Sequence, residues 1–407
     1  MIKWLSFAFK NVLRNRRRAL ITILIAAIGS ASLMVSGGYG MFTYSALEEM
    51  TSKETGHIVI AHSQYFDDTE ESPMQFGLAN HLSLSSDLKQ NSDIQYIVPR
   101  LNFSGLISNG DKSEIFLGTG VDPAVEFYVN GPFMQLVSGR RLSQNPSPDT
   151  DPEIFLGVKL ASQLNATVGT VLTILGTTTE GGLNGFDVKV RGIISTGKPE
   201  MDARKVLLPL NIAQEMILTD KISTLSVYLK DRNNTDTTLT TLEKIYPGNT
   251  FRSWPQLAHY YHKVRGLYDR IFGIMGIIII SIVFFAVSNT LTMTVAERTR
   301  EIGTLRAMGT LPGQLINVFI LEAIIISLLG ALLGVLITAA ISTSLVFFPV
   351  MMPPPPGMTM EYPLSIVFSP FIITLATISL VVVSILAAWF AAHKGAKKPI
   401  VEALGHV

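Results

Sequence analysis

The chain has 407 residues, with 32 Lys and Arg against 31 Asp and Glu, and is 48% hydrophobic but only 15% charged, where a soluble domain carries about 25% charged residues. That deficit excludes a soluble enzyme and points to a membrane. Cysteine is missing altogether, which excludes thiol redox chemistry and a disulfide framework.

Residues 1–18 hold six basic residues, Lys3, Lys10, Arg14, Arg16, Arg17 and Arg18, and no acid. Lys3, Ser6, Lys10 and Arg14 share one helical face while Trp4, Leu5, Phe7, Phe9, Val12 and Leu13 cover the rest, which predicts an interfacial amphipathic helix. The next 24 residues, Ala19–Phe42, are uncharged. The apolar core of a signal peptide is about 7–15 residues, so this run reads as an anchoring span rather than a cleaved leader. Its helix can continue outward through Tyr44, Leu47 and Met50, with a bend expected at Gly37-Gly38-Tyr39-Gly40.

Residues 43–270 form the large extramembrane domain. Strand-like runs at His57–Ala61 and Ile94–Pro99 flank a helix at Ser83–Asn91, and runs at Leu225–Leu229 and Asn249–Arg252 flank a helix at Thr235–Ile245. These two halves, 51–105 and 220–253, predict one split α+β subdomain. Between them, residues 106–219 read as a β-rich insertion, with strands at Glu114–Leu117, Glu153–Leu156, Thr170–Leu175, Asp187–Ile194 and Val206–Pro209 and short helices at Val158–Leu164 and Asn211–Thr219. Ser253-Trp254-Pro255-Gln256 has the form of a capping box. From it one helix is expected to run as a stalk over 254–270 and on through the membrane to Val295.

The second span is 271–296, followed by a loop segment at 297–314. The third span is 315–348, uncharged from Ala323 onward, and the fourth is 371–392. Between these two, residues 349–370 form a loop in which Pro353–Pro356 is expected to be a stiff polyproline spacer. Arg298, Arg300 and Arg306 follow the second span, and Lys394, Lys397 and Lys398 lie in the tail 393–407, whereas Pro349–Ser365 has no Lys or Arg and the large domain has 20 basic against 26 acidic residues. By the positive-inside rule both termini and the 297–314 loop should be cytoplasmic, with the large domain and the 349–370 loop outside.

The search for catalytic, cofactor or metal chemistry yields no site and no nucleic-acid signature. Gly192-Ile-Ile-Ser-Thr-Gly197-Lys198-Pro199 approaches a phosphate-loop pattern but ends in proline where a magnesium-holding hydroxyl is needed, so it reads as a turn. His259 and His262 share a helical face without a partner carboxylate at metal spacing. The most specific stretch is Glu297-Arg298-Thr299-Arg300-Glu301-Ile302-Gly303-Thr304-Leu305-Arg306-Ala307-Met308-Gly309. Ile302, Leu305 and Met308 form an apolar stripe, Glu297/Arg300 and Arg298/Glu301 are i, i+3 pairs, and Gly309 with Pro312-Gly313 stops the helix. From residue chemistry alone the segment reads either as a docking helix or as positive-inside anchoring. Glu322 is read as an anchoring or helix-pairing charge. Gly330 and Gly334 permit close helix packing, without deciding between a lipid-facing and a dimer contact.

The 297–309 stretch, with Phe319-Ile-Leu-Glu322 and Gly330-x-x-x-Gly334 after it, resembles the FtsX-like permease module of type VII ABC transporters. Asn11–Arg18 leading into Ile28-Gly29, and Pro399-Ile-Val-Glu402-Ala403-Leu404, resemble that family's ends. Gly56–Ile60, Gly139-Arg140, Leu156-Gly157 with Leu160-Ala161, and Val168-Gly169 resemble the LolC/LolE and MacB branches, and the lipoprotein-releasing LolC/LolE branch fits best. The resemblance implies an integral membrane α-helical protein with four transmembrane helices and a large extracytoplasmic α+β domain, its parts porter-like and sabre-like. It implies a multi-pass permease of the bacterial inner membrane, served by a separate ABC ATPase subunit dimer that binds ATP, since no fused nucleotide-binding domain is expected. A second permease subunit, identical or paralogous, completes the dimer. Cargo would be lipoprotein or another amphiphile, with a periplasmic adaptor or chaperone as a further partner; the alternatives are a MacB-type efflux permease and an FtsX-like scaffold that activates a cell-wall hydrolase. ATPase coupling would fall to Glu297, Arg298, Glu301, Ile302, Gly303, Leu305, Arg306, Met308 and Gly309, and helix packing to Gly330 and Gly334.

Overall fold

A computed structural model describes residues 8–12, 14, 16–67, 70, 72–142, 152–354, 359 and 361–396. The expected amphipathic face at Lys3–Phe7, the closing motif at Pro399–Leu404 with Lys397 and Lys398, and Pro355–Pro356 of the spacer lie outside the described residues. The chain divides into two units, one of Met1–Ala46, Lys263–Met352 and Pro363–Val407, the other of Leu47–His262 and Pro353–Tyr362.

The first unit is helical. Four helices are long and apolar enough to cross a bilayer, within Arg16–Thr55, His259–Glu297, Pro312–Phe347 and Pro370–Ala396. They are apolar all round, as spans must be where no water can take up backbone hydrogen bonds. Ile274, Ile278, Ile282, Leu332, Leu336, Phe371, Ile378 and Leu386 are exposed on the unit's surface, a display that only lipid or another apolar partner can cover. Inside, the contacts fall on small or branched residues: Ala26 of the first span, Val283, Val287 and Leu291 of the second, Ala323 and Ala331 of the third, and Leu380, Ala387 and Ala391 of the fourth. The first helix continues through Gly37, Gly38 and Gly40 without a break. Packing explains the glycines: a Cβ on Gly38 would sit 2.7 Å from the Val367 carbonyl oxygen, and one on Gly37 3.1 Å from Ile372.

The second unit is built on one sheet of ten strands: β1 (Ile58–His62), β2 (Ile94–Ser108), β3 (Ser113–Val121), β4 (Gln135–Gly139), β5 (Glu153–Gly157), β6 (Val171–Thr177), β7 (Leu183–Ser195), β8 (Lys205–Pro209), β9 (Thr224–Leu229) and β10 (Asn249–Ser253). Their order is β10-β1-β9-β2-β3-β8-β5-β7-β4, with β6 paired to β2 and β7. The two halves of the expected split subdomain meet as β10-β1-β9, all antiparallel, and β9 is buried along its whole length. Helices His81–Leu88 and Thr235–Ile245 supply Leu84, Leu88, Leu239 and Leu242 to the core over Ile58, Ile60, Leu225 and Val227. A second core gathers Leu101, Phe116, Leu156, Ile174, Val190 and Leu208 under Leu160 and Met216.

The division drawn at 105/106 falls inside β2. Residues 94–100 of this strand pair with β9 and residues 100–108 with β3, so one strand belongs to both parts. Pro99 reads as a strand end, yet pairing with β3 begins only at Arg100, so the absent N–H costs that ladder nothing. The expected continuous helix from Trp254 is also interrupted: Trp254–Leu257 is a separate turn, and the long helix starts at His259 after Ala258 at φ −90°, ψ 57°. Buried Trp254 packs edge-on against Tyr261 across that break, a tertiary contact that overrides local helix propensity.

Candidate functional site

The loop helix after the second span occupies Thr299–Ala307. It separates from the spanning helix at Arg298, whose backbone leaves the helical region. Its end is a Schellman motif: Gly309 adopts φ +95°, its N–H donates to the Arg306 carbonyl at 3.0 Å, and the Thr310 N–H donates to the Leu305 carbonyl at 3.1 Å. Gly309 therefore terminates the helix, and Pro312 opens the next one within three residues.

Five side chains join this helix to the rest of the helical unit. Arg298 donates through Nε to Glu301 at 3.1 Å and through Nη1 to both carboxylate oxygens of Glu322 at 3.1 and 3.2 Å, with its guanidinium 5.5 Å from the Phe319 ring centre. Asn11 donates to Glu322 at 2.8 Å, and Arg14 donates to both oxygens of Glu301 at 2.9 Å. A continuous chain results, Asn11–Glu322–Arg298–Glu301–Arg14, linking the N-terminal segment, the loop helix and the third span. Burial works against ionisation of Glu301, but the guanidiniums of Arg298 and Arg14 outweigh it and hold the carboxyl below its ordinary range. Glu322 pairs helices from a buried position, so its charge is matched where a lone one would be costly.

The expected apolar docking stripe is divided. Ile302 is buried against Val295, Leu315, Phe319 and Ala392 of its own chain, with Leu305 packed on the same cluster, so these two residues hold the loop helix in place. Gly303 is buried beside them, and Arg306 is half-buried. The outward face consists of Glu297, Arg300, Glu301, Thr304, Met308 and Gly309, and Met308 is 71% exposed. Beside it lies a groove of about 290 Å³, lined by buried Leu315 and Phe319 and by exposed Arg14, Glu301 and Met308. Periodicity finds an apolar stripe but not what covers it, and neither Asn11 nor Arg14 carries a sequence signal for partners 311 and 287 residues away.

Gly330 and Gly334 face the first span. A Cβ on Gly330 would lie 2.5 Å from the Ala26 Cβ, and one on Gly334 2.8 Å from the Ser30 Cβ and 3.1 Å from the Ala27 carbonyl oxygen. The small-residue pair is thus spent on packing inside one chain.

In the β-rich unit a second arginine gathers the end of the first helix. Arg100 of β2 donates to the Glu54 carbonyl at 2.7 Å, the Thr55 carbonyl at 3.3 Å, Ser226 Oγ at 3.2 Å and Tyr228 Oη at 2.8 Å, and pairs with Glu126 at 3.1 Å. Tyr228 Oη donates to the Lys53 carbonyl and Ser226 Oγ to the Thr55 carbonyl, each at 2.7 Å. The last carbonyls of a helix have no partners within it, so three side chains from β2 and β9 complete them. Burial disfavours the Arg100 charge, but Glu126 and Tyr228 more than compensate and raise its pKa; burial pushes the Tyr228 hydroxyl up to about 12. Glu48, one turn earlier, accepts from Arg232 at 3.3 Å and from Tyr261 of the second spanning helix at 2.9 Å.

The loop that approaches a phosphate-binding pattern is closed on itself. Asp202 accepts from Ser195 Oγ, Thr196 N and Thr196 Oγ1 at 2.7–2.9 Å, so a carboxylate occupies the donors that a phosphate would need. Lys198 pairs with Glu54 at 2.6 Å. His262 Nε2 lies 2.8 Å from the Pro255 carbonyl oxygen, which directs it away from any ligand set with His259.

Four apolar helices carrying a large β-rich domain between the first two define a multi-pass membrane protein of the permease kind. A model of the MacB-like periplasmic core domain matches residues 19–245, more than half of the chain, and one of the FtsX-like permease C-terminal matches residues 273–400. The chain belongs to this MacB-like, FtsX-like family of type VII ABC transporter permeases. It is a transporter subunit of the permease type. It is 20% identical to the uncharacterized ABC transporter permease YknZ of Bacillus subtilis (strain 168), over 82% of this chain and 85% of that one. To the lipoprotein-releasing system transmembrane protein LolC of Neisseria meningitidis it is 28% identical over 45% of this chain and 46% of that one. To the macrolide export ATP-binding/permease protein MacB of the same species it is 24% identical over 81% of this chain and 51% of that one. The matches reach both branches, and the expected preference for LolC/LolE is not specifically supported.

Proposed function

We propose that the chain is the membrane-spanning subunit of an inner-membrane ABC transporter that works as a dimer and moves lipoprotein or another amphiphile outward from the membrane. Its termini and loop helix lie in the cytoplasm, its β-rich domain in the periplasm, and ATP is hydrolysed by a separate ATPase dimer. The observation that carries this reading is the fixed loop helix: Ile302 and Leu305 seat it, the Arg14–Glu301–Arg298–Glu322–Asn11 chain ties it to other helices, and Met308 stays exposed beside an apolar groove. A partner that inserts a side chain into this groove and pushes on Met308 moves the loop helix as a body. The first and second spanning helices are covalently continuous with the β-rich domain, where Arg100, Ser226 and Tyr228 hold one and Glu48 contacts the other. Work done at one end can therefore be delivered at the other without a substrate path through the bilayer.

The test is copurification of the ATPase with single variants in detergent, together with ATP turnover. Burying one aliphatic side chain is worth about 1.5–3 kcal/mol, so Met308→Asp should weaken association about tenfold or more. Its thermal midpoint should stay at the parent value, because Met308 touches no core. Leu305→Asp should lower both, since it also breaks internal packing. Unchanged association and turnover in Met308→Asp would refute the docking assignment.

A further inference from the structure

The β-rich unit carries an open cavity of about 920 Å³ lined by β2, β3 and the end of the first helix, at the upper end of the roughly 300–1,000 Å³ range of small-molecule sites. Much of its wall is apolar, with Phe66, Met74, Phe103, Leu117, Phe133 and Met134 among the lining residues. Its polar side is unusual in what is left over. Arg100 is paired with Glu126, and Lys198 with Glu54, while Glu70 accepts from the Met74 and Phe76 backbone N–H groups at 3.2 and 3.0 Å. Lys205, at the start of β8, also lines the cavity, and its ammonium makes no hydrogen bond or ion pair among the described residues. Burial is the main cause that pushes its ammonium below the usual lysine range.

A second group that lines the cavity is unsatisfied. Asn130 is 8% exposed, its Nδ2 donates to Glu126 at 2.8 Å, and its Oδ1 has no partner among the described residues. The Glu126 contact fixes which amide atom is the oxygen, because a carboxylate accepts only from the NH₂ end. A buried acceptor without a donor costs free energy, and the half-buried Lys205 ammonium, in the field of Glu126 and Glu54 but hydrogen-bonded to neither, has donors to spare.

From this geometry we infer that the cavity is a binding site for a small amphiphile whose head carries an anionic oxygen for Lys205 and an N–H or O–H donor for Asn130, with its apolar body against the aromatic and methionine wall. The inference rests on the reading of the chain as an amphiphile-moving permease and names the kind of molecule, or the part of a larger one, that the domain would hold. An N-acyl amino acid, with a carboxylate and an amide N–H, and a lysophosphatidate, with a phosphate and a hydroxyl, share this head chemistry.

The chain has no cysteine, so Leu117→Cys gives a single reporter. Leu117 lines the cavity, is 53% exposed and is the register partner of Lys205 across β3 and β8. The full chain carrying it, in phosphatidylcholine nanodiscs, is labelled with a maleimide in the presence of N-dodecanoylglycine, a lysophosphatidate or dodecanol. Either anion should slow labelling about fivefold once its concentration reaches roughly four times its Kd, and the more effective one identifies a carboxylate or a phosphate source. Dodecanol should not protect. Lys205→Met should abolish protection and Lys205→Arg should keep it. A Ser86→Cys control, exposed on the helix outside the cavity, should label at the same rate throughout. Absence of protection by both anions, equal protection by dodecanol, equal slowing at the Ser86 control, or protection that survives Lys205→Met would overturn the inference. ATPase copurification on the same preparations separates the two readings. Association intact with protection absent removes only the cavity site; protection intact with association lost removes only the transporter coupling.

Discussion

Two clusters of arginine and glutamate, one in the helical unit and one in the β-rich unit, differ in burial. Arg14 and Glu301, at the loop helix, keep 56% and 51% of their side chains exposed, while Arg100 and Glu126, at the end of the first helix, keep 9% and 7%. The chemistry is the same, but the consequences are not. An exposed pair gains little in water and gives way cheaply. A buried one is expensive to assemble and more expensive to break, because the surviving partner is left charged without solvent. In the transport reading proposed above, the first arrangement suits a part that shifts under load, the second a joint that passes load on.

The largest expected effect is therefore at Arg100. Arg100→Met strands Glu126 and strips donors from the Glu54 and Thr55 carbonyls, and should cost about 3–5 kcal/mol of stability. Thermal unfolding of the detergent-solubilised chain measures it. The double variant Arg100→Met/Glu126→Leu should recover much of the loss; a double variant as unstable as the single one would mean that the pair is not the joint's source of strength.

Glu322 and Arg298, at 6% and 11% exposed, are as buried as the Arg100–Glu126 pair, yet they belong to the same chain of contacts as the exposed Arg14 and Glu301. Glu322→Gln keeps an acceptor for Asn11 but gives up the ion pair, and should cost about 1–3 kcal/mol by the same unfolding measurement. A loss as small as that at Arg14 would group Glu322 energetically with the exposed cluster and weaken the transmission role proposed for it.

Sequence reasoning reaches the parts of this comparison that are local. Uncharged length marks the spans, Gly309 and Pro312 mark the end of the loop helix, and alternation marks most strands, because each depends on a few neighbouring residues. It stops where the partner is remote. The i, i+3 spacing reveals Arg298–Glu301, but Arg14 and Asn11 enter only through the fold, and Arg100 sits in a strand whose sequence announces no helix end to be completed. The same limit explains the stripe: Ile302, Leu305 and Met308 repeat correctly, yet the first two face their own chain because Leu315 and Phe319 are there to meet them. Helix propensity also gives no hint of the break at Ala258, which follows from the packing of Trp254 on Tyr261.

A pH measurement sharpens the buried side further. His57, just beyond the end of the first helix, accepts from the Leu229 N–H at 2.9 Å through Nδ1, and burial first, then Arg232 and Lys53, lower its pKa from 6.5 to about 4. The folded chain thus binds this proton less readily than the unfolded one. Stability from this group is complete above pH 6.5 and is lost as the pH falls toward 4. Unfolding midpoints recorded across that window should decline, and the decline should be shallower in His57→Asn. An identical slope in the variant would assign it to other groups.

The smallest effect belongs to Arg14. Its contact with Glu301 has good bidentate geometry, 2.9 Å to each oxygen, but both side chains are about half exposed. Solvent screening caps such a pair at about 0–1 kcal/mol, and added salt lowers it further. The sign for pH follows from Glu301, whose carboxyl lies below its ordinary value: the stabilisation is present above the unfolded carboxylate pKa and is lost as the pH falls through the folded one. Arg14→Gln should therefore shift the unfolding midpoint only slightly, with the difference from the parent shrinking in high salt and at acid pH. The same substitution should still alter ATP turnover more than stability, since it releases one end of the chain that runs through Glu301 and Arg298 to Glu322. If Arg14→Gln destabilised the chain as much as Arg100→Met and did so at every salt concentration, the two clusters would not differ in kind, and burial would not be what separates the part that yields from the part that holds.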